Sequence, residues 1–209
     1  MAVIVDSYSE SNHDAESSLK DIHPSDSEFA SLLGQSFTGD GKSMDSCEFY
    51  LKRVGSPGNL IATLYAHTGT FGTSSQPTGS ALDSSNTVAA GGFSSADFAL
   101  ISFSGFSGYT LVNGTKYCIC VEGYDGTWDA DNYIWFGADV TSSTHAGNYF
   151  RYVNSDWAIH GTLDGCFYVY GVAAAPSGWA GGDLNGVALA TIAKINGVAI
   201  ADIEKVNGI

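Results

Sequence analysis

Hydrophobic residues in this 209-residue chain recur mainly at every second position, the spacing of strands with one face in a core. Across residues 44–54, Cys47, Phe49 and Leu51 alternate with Glu48, Tyr50 and Lys52. After a Ser56-Pro57-Gly58-Asn59 turn, Leu60, Ala62, Leu64 and Ala66 alternate with Ile61, Thr63 and Tyr65. Residues 98–106 alternate again, Phe98, Leu100 and Ser102 against Ala99, Ile101 and Phe103. From Tyr117 through Cys118, Ile119 and Cys120 to Val121 the run is unbroken, as in a strand covered on both faces. Residues 2–5, 34–38, 133–136, 149–153 and 165–172 are further strand candidates, with 81–90 weaker. Asn113-Gly114 predicts a hairpin turn. Residues 6–20 and 68–80 carry no period and read as loops, and 25–33 permits one helical turn. Eight to ten short strands, Gly-rich turns and no long helix predict an all-β, antiparallel jelly-roll or β-sandwich domain over residues 1–172.

Beyond a linker at 173–184 the pattern changes. Asn-Gly recurs at residues 185, 196 and 207, opening a repeat of eleven residues that fills 185–209. Within it the apolar positions are Val187, Leu189, Ile192 and Ile195, then Val198, Ile200, Ile203 and Val206. An eleven-residue period matches three helical turns, but Asn and Gly weaken a helix. Each unit therefore reads as a short extended piece, a turn around Ile192 to Lys194, and a turn at Asn-Gly. Units this short cannot bury so many aliphatics alone. The tail either braces its own β domain or docks on a partner chain or on itself, and the second reading makes those eight residues an assembly surface.

Charge narrows the partners. Twenty-two Asp and Glu against eight Lys and Arg give a formal charge of −14, which excludes the cationic footprint of a nucleic-acid surface. It also disfavours an anionic membrane. No apolar run is long enough for a membrane-spanning helix, so membrane insertion is not expected. No signal peptide is expected either, because Met1-Ala2-Val3-Ile4-Val5 meets Asp6 without a basic region before it. Cys47, Cys118, Cys120 and Cys166 have no zinc-site spacing and lie in apolar runs, as buried free thiols do. The alternative is a Cys47–Cys166 or Cys118–Cys166 disulfide.

No reaction motif surrounds His13, His23, His67, His145 or His160, so the chain reads as non-enzymatic. An enzyme would need a concave site where one of these histidines meets a carboxylate. The densest polar-aromatic stretch is residues 124–135. Asp125, Asp129, Asp131 and Asn132 are hard oxygen donors of the kind calcium prefers, although the spacing misses the EF-hand loop. Calcium is the one candidate ion, and no other cofactor is expected. Trp128, with Tyr124 beside it, is the candidate platform for a sugar ring, with Trp157 a further contributor and Trp135 assigned to the core.

Two regions carry a family resemblance. Gly34-Gln35-Ser36-Phe37-Thr38, Cys47-Glu48-Phe49-Tyr50-Leu51-Lys52-Arg53, Gly58-Asn59-Leu60-Ile61-Ala62-Thr63-Leu64-Tyr65 and Gly79-Ser80-Ala81-Leu82-Asp83-Ser84-Ser85 together resemble choice-of-anchor β-sandwich domains. The resemblance spans about residues 30–172. It implies a non-catalytic domain of surface proteins or phage particles, attached through a terminal element. The tail resembles Asn-Gly-Val-Ala repeats of tailed-phage proteins. Together they imply a virion structural protein (a capsid decoration, fibre or tail accessory) assembled in the host cytoplasm. The alternative is an adhesion module on an extracellular surface that binds cell-surface glycan through the 124–135 loop, assisted by calcium.

Overall fold

The alternating run around Phe49 becomes the longest strand, and the rest of the architecture is arranged about it. The computed structural model describes residues 1–19, 30–153, 155–173, 194–195 and 198–199. The chain divides into two compact units, Met1–Val172 and Ala173–Ile209. In the first unit the strands are β1 (Val3–Tyr8), β2 (Ala15–Leu19), β3 (Ala30–Thr38), β4 (Ser43–Val54), β5 (Asn59–Thr68), β6 (Gln76–Ser84) and β7 (Val88–Ala89). They continue with β8 (Ala99–Ser104), β9 (Lys116–Gly123), β10 (Tyr133–Asp139), β11 (Tyr149–Val153), β12 (Asp156–His160), β13 (Asp164–Gly165) and β14 (Phe167–Val172).

These strands make two antiparallel sheets. In the first, one edge of β4 pairs with β14 and then β10, and the other edge pairs with β8. β1 lies beyond β14, and β2 lies beyond β10. The second sheet runs β12-β11-β3-β9-β5-β6. A single parallel residue pair, Leu19 with Ala30, links the two. β1 and β6 end the hydrogen-bonded path and do not pair with each other among the described residues, so the path is open.

Both sheets turn alternate residues into one core. Phe49, Leu51, Phe136 and Phe167 from the first meet Leu33, Phe37, Leu60, Leu64, Ile119 and Tyr149 from the second, all buried. The Phe136 ring joins the sheets, 5.5 Å from Phe49 and 5.9 Å from Tyr149. Each such side chain contributes roughly 1.5–3 kcal/mol by leaving water.

Several expectations change. Residues 15–19 form a strand despite their polarity, because β2 completes the edge of β10. Residues 30–33 extend β3 instead of making a helical turn, since β9 and β11 pair along both sides of it. Residues 25–29 lie outside the described residues. Residues 76–80, read as loop, belong to β6, an outer strand where Pro77 is tolerated. The Asn113-Gly114 turn forms, with Thr115 N–H donating to the Val112 carbonyl at 3.1 Å, but it is not the hairpin type. Only Gly114 has positive φ (78°), and beyond that one bond Leu111, Gly114 and Thr115 bond to Lys42 and Gly39.

In the second unit, β15 (Lys194–Ile195) pairs antiparallel with β16 (Val198–Ala199), Ile195 opposite Val198. The two strands bracket Asn196-Gly197 in the sequence. The other tail residues singled out above, Val187, Leu189, Ile192, Ile200, Ile203 and Val206, lie outside the described residues, as does all of the 173–184 linker except Ala173.

Candidate ligand-binding groove

A sheet with one face in the core ordinarily shows polar residues on the other. The second sheet departs from that rule. Its outward positions carry Leu32 on β3, Cys118, Cys120 and Glu122 on β9, Tyr65 on β5, Phe150 and Tyr152 on β11, and Trp157 on β12. Register aligns five of its strands in one row: Trp157 opposite Tyr152, Tyr152 opposite Leu32, Leu32 opposite Glu122, and Glu122 opposite Ile61. Leu32, Cys118, Cys120 and Phe150 are buried as a second apolar cluster, with Tyr65, Tyr152 and Trp157 packed partly against it. Gly34 leaves room for this cluster. A Cβ there would lie 2.8 Å from the Phe150 ring and 2.4 Å from the Ile119 carbonyl oxygen.

Over this cluster lies an open groove of about 620 Å³, lined by Tyr65, Tyr152, Trp157, Glu122, Ser31 and Leu32, with Pro77, Thr78 and Gly79 of β6 and Gly123 at its rim. The Trp157 and Tyr152 rings are 4.9 Å apart and inclined at 58°. Thr63 Oγ1 donates to Glu122 Oε1 at 2.8 Å. Burial raises the Glu122 carboxyl above its ordinary value, which the Thr63 bond only partly offsets. Burial and then the Glu122 charge push the Tyr65 phenol up to about 12. Among the described residues Glu122 has no ion-pair partner, and no lysine, arginine or histidine lines the groove.

The 124–135 loop begins where this groove ends, but its side chains are used differently. Asp125 accepts from the Asn59 N–H and Nδ2, each at 3.0 Å. Asp129 Oδ1 accepts from Asp131 N–H at 2.8 Å and from Asn132 Nδ2 at 2.9 Å. Asn132 Oδ1 accepts from Ser56 N–H at 2.9 Å. These bonds tie the loop to the 55–59 turn and close it on itself. No group of three or more His, Cys, Asp or Glu side chains is arranged to hold a metal among the described residues. Trp128 is half-buried against Gly123 and the main core and donates Nε1–H to the Asp125 carbonyl at 2.8 Å. Tyr124 is 61% exposed. The tryptophan in the groove is Trp157.

One histidine does meet carboxylates. His145 Nδ1 accepts from Gly147 N–H at 3.0 Å, which places the ring proton on Nε2, 3.1 Å from Asp6 Oδ1. Gln35 Nε2 bridges His145 Nδ1 and Asp164 Oδ1. Burial would raise the Asp6 carboxyl, but the bonds from His145 and Thr38 outweigh it and hold Asp6 below the usual range. The His145 side chain is only 8% exposed and packs edge-on to Tyr8 and Phe167. This network fastens β1 and β3 to the 139–148 segment, away from the groove residues. All four cysteines are free and buried. Among the described residues no helix is long and apolar enough to cross a membrane.

In the sequence Tyr65 and Tyr152 look like ordinary packing aromatics, Tyr65 lies far along the chain from the other two, and Trp157 enters only as a further contributor to the 124–135 platform. The available signal was parity: all three occupy outward positions. The sequence matches no protein-family model and no curated protein.

Proposed function

We propose that the domain of residues 1–172 is a non-catalytic glycan-binding module whose ligand lies in the groove across the outer face of the second sheet. The observation that carries this reading is one groove of about 620 Å³ lined by Tyr65, Tyr152 and Trp157 together with Glu122. Sugar rings offer flat C–H faces to aromatic rings and hydroxyls to carboxylates and side-chain hydroxyls, and this groove supplies both partners. The single carboxyl supports binding without hydrolysis. Glycoside hydrolysis ordinarily uses a pair of carboxyl groups flanking the scissile bond, and Glu122 is alone among the described groove residues. The test is calorimetric titration with a panel of neutral, N-acetylated and amino oligosaccharides. Trp157→Ala is expected to weaken binding about tenfold, the worth of one stacked ring. Absence of binding to every glycan at millimolar concentration would sink the reading.

A second reading concerns what the module is attached to. The eleven-residue repeats favour a virion component, a capsid decoration, fibre or tail accessory, or else a protein displayed on an extracellular surface. In either setting the apolar tail positions dock the module to a partner or to itself. Assignment to the choice-of-anchor type, with a jelly-roll strand path, is part of this proposal and is supported by the strand pattern of residues 34–65 and the terminal extension.

A further inference from the structure

Glu122 is the one charged group in the described walls of the groove, and its single hydrogen bond comes from a neutral hydroxyl. A half-buried carboxylate without a cation is costly to keep, since water no longer solvates it fully and nothing replaces that solvation. Three aromatic rings line the same groove, and their faces carry partial negative charge and attract cations. Among the described residues, the basic groups on the same sheet face lie farther along it and are occupied. Lys116 Nζ is 4.3 Å from the Phe71 ring centroid and donates to Thr38 Oγ1 at 2.7 Å, while His67 bonds Ser75. Titratable groups beside Glu122 are the Tyr65 phenol from β5, the Tyr152 phenol from β11 and the Cys120 thiol of its own strand, none of them basic. The whole chain, at −14, reinforces that field and repels uronic, sialic and sulfated sugars.

We propose that the groove selects glycans bearing free amino groups, with an ammonium seated between the Glu122 carboxylate and the Tyr65, Tyr152 and Trp157 rings. This rests on the glycan-binding reading above. The carboxylate supplies the charged hydrogen bond, and the rings supply stacking for the sugar and cation–π contact for its amine.

The experiment compares a β-1,4-linked glucosamine oligosaccharide with its N-acetylated counterpart, which has the same rings and lacks the charge, by calorimetry on the full chain at about pH 6, where the amine is protonated. The amino form is expected to bind about tenfold or more tightly, one charge-assisted contact's worth. Glu122→Gln should erase that preference, so that the amino form binds no more tightly than the N-acetylated form to the same variant. Because the substitution changes the net charge by only one, it separates the groove's selection from general attraction of a cation to an acidic protein. Titration of the unmodified protein in rising salt is the second measurement, independent of any variant's folding, and the preference should shrink as salt screens it. Equal affinity for both forms, or a preference that survives Glu122→Gln, overturns charge selection and leaves glycan binding standing. If neither form nor any neutral glycan binds, the glycan reading falls, and this inference with it.

Discussion

Asp83 shows how much one side chain holds in place. It is 8% exposed, and its two carboxylate oxygens accept from Ser107 N–H and Oγ, each at 2.9 Å, Gly108 N–H at 3.1 Å and Tyr109 N–H at 3.0 Å, besides its neighbour Ser84 at 2.9 Å. Burial would raise this carboxyl, yet the bonds from Ser107 and Tyr109 outweigh it and lower the pKa below the ordinary 3.8. The folded value is below the unfolded one, so the stabilisation is fully present above the unfolded value and is lost as pH falls through the folded value. Asp83→Asn cannot accept all of these bonds and should cost about 3 kcal/mol in urea denaturation at neutral pH. The variant should also show a smaller loss of stability on acidification. Glu122 has the opposite sign. Its folded value is raised, so its contribution is greatest below the unfolded value and declines as pH rises through the folded value. Glu122→Gln is therefore expected to raise the thermal midpoint at neutral pH. Stability unchanged or lowered there would show that the carboxylate is better satisfied than its one hydrogen bond implies. A residue retained at a cost to folding is what a ligand-contacting group looks like. None of this was legible in the sequence, where Asp83 sits in a weak strand and its partners come more than twenty residues later.

Strands were readable wherever packing imposed a two-residue period. β4, β5 and β9 were legible because one or both faces are buried, and Cys47, Phe49 and Leu51 point inward as their alternation requires. β2 and β6 were not. Glu16, Ser17 and Ser18 give no alternation, and Pro77 and Gly79 are turn residues that an outer strand can accommodate. β12 was missed because its Asp156-Trp157-Ala158-Ile159-His160 sequence is too short to show a period. That miss concealed the groove, since Trp157 joins Tyr152 only once β12 pairs with β11. The element that carries the groove also has a weak point. Gly34 lies between β9 and β11, and a Cβ there would press a backbone oxygen that the sheet cannot move. Gly34→Ala is expected to destabilise the domain by about 1–3 kcal/mol. It should also loosen ligand affinity, because Phe150 supports Tyr152 and Trp157 from below. A fully stable Gly34→Ala protein with unaltered tryptophan fluorescence would contradict this packing.

Taken whole, the chain combines an acidic β domain with a tail whose eight aliphatic positions recur on an eleven-residue period. The β15–β16 pairing is two residues long on each side, too little to be stable by itself in water. Its aliphatics need a surface, and three choices are open: the tail's own domain, another copy, or a separate partner. Charge gives a way to tell them apart. Copies carrying −14 repel one another at low salt, so apolar self-association should strengthen as salt screens that repulsion. Amino-glycan binding in the groove should weaken over the same range. Light scattering on the full chain is expected to show an oligomer whose mass rises with salt, and Ile192→Asp with Ile203→Asp should return it to a monomer with an unchanged domain melting temperature. If the unmodified chain is already monomeric and the double variant melts lower, the tail is a brace on its own domain. If both are monomers of equal stability at every salt concentration, self-assembly is excluded and the repeats are a docking peptide for a different chain.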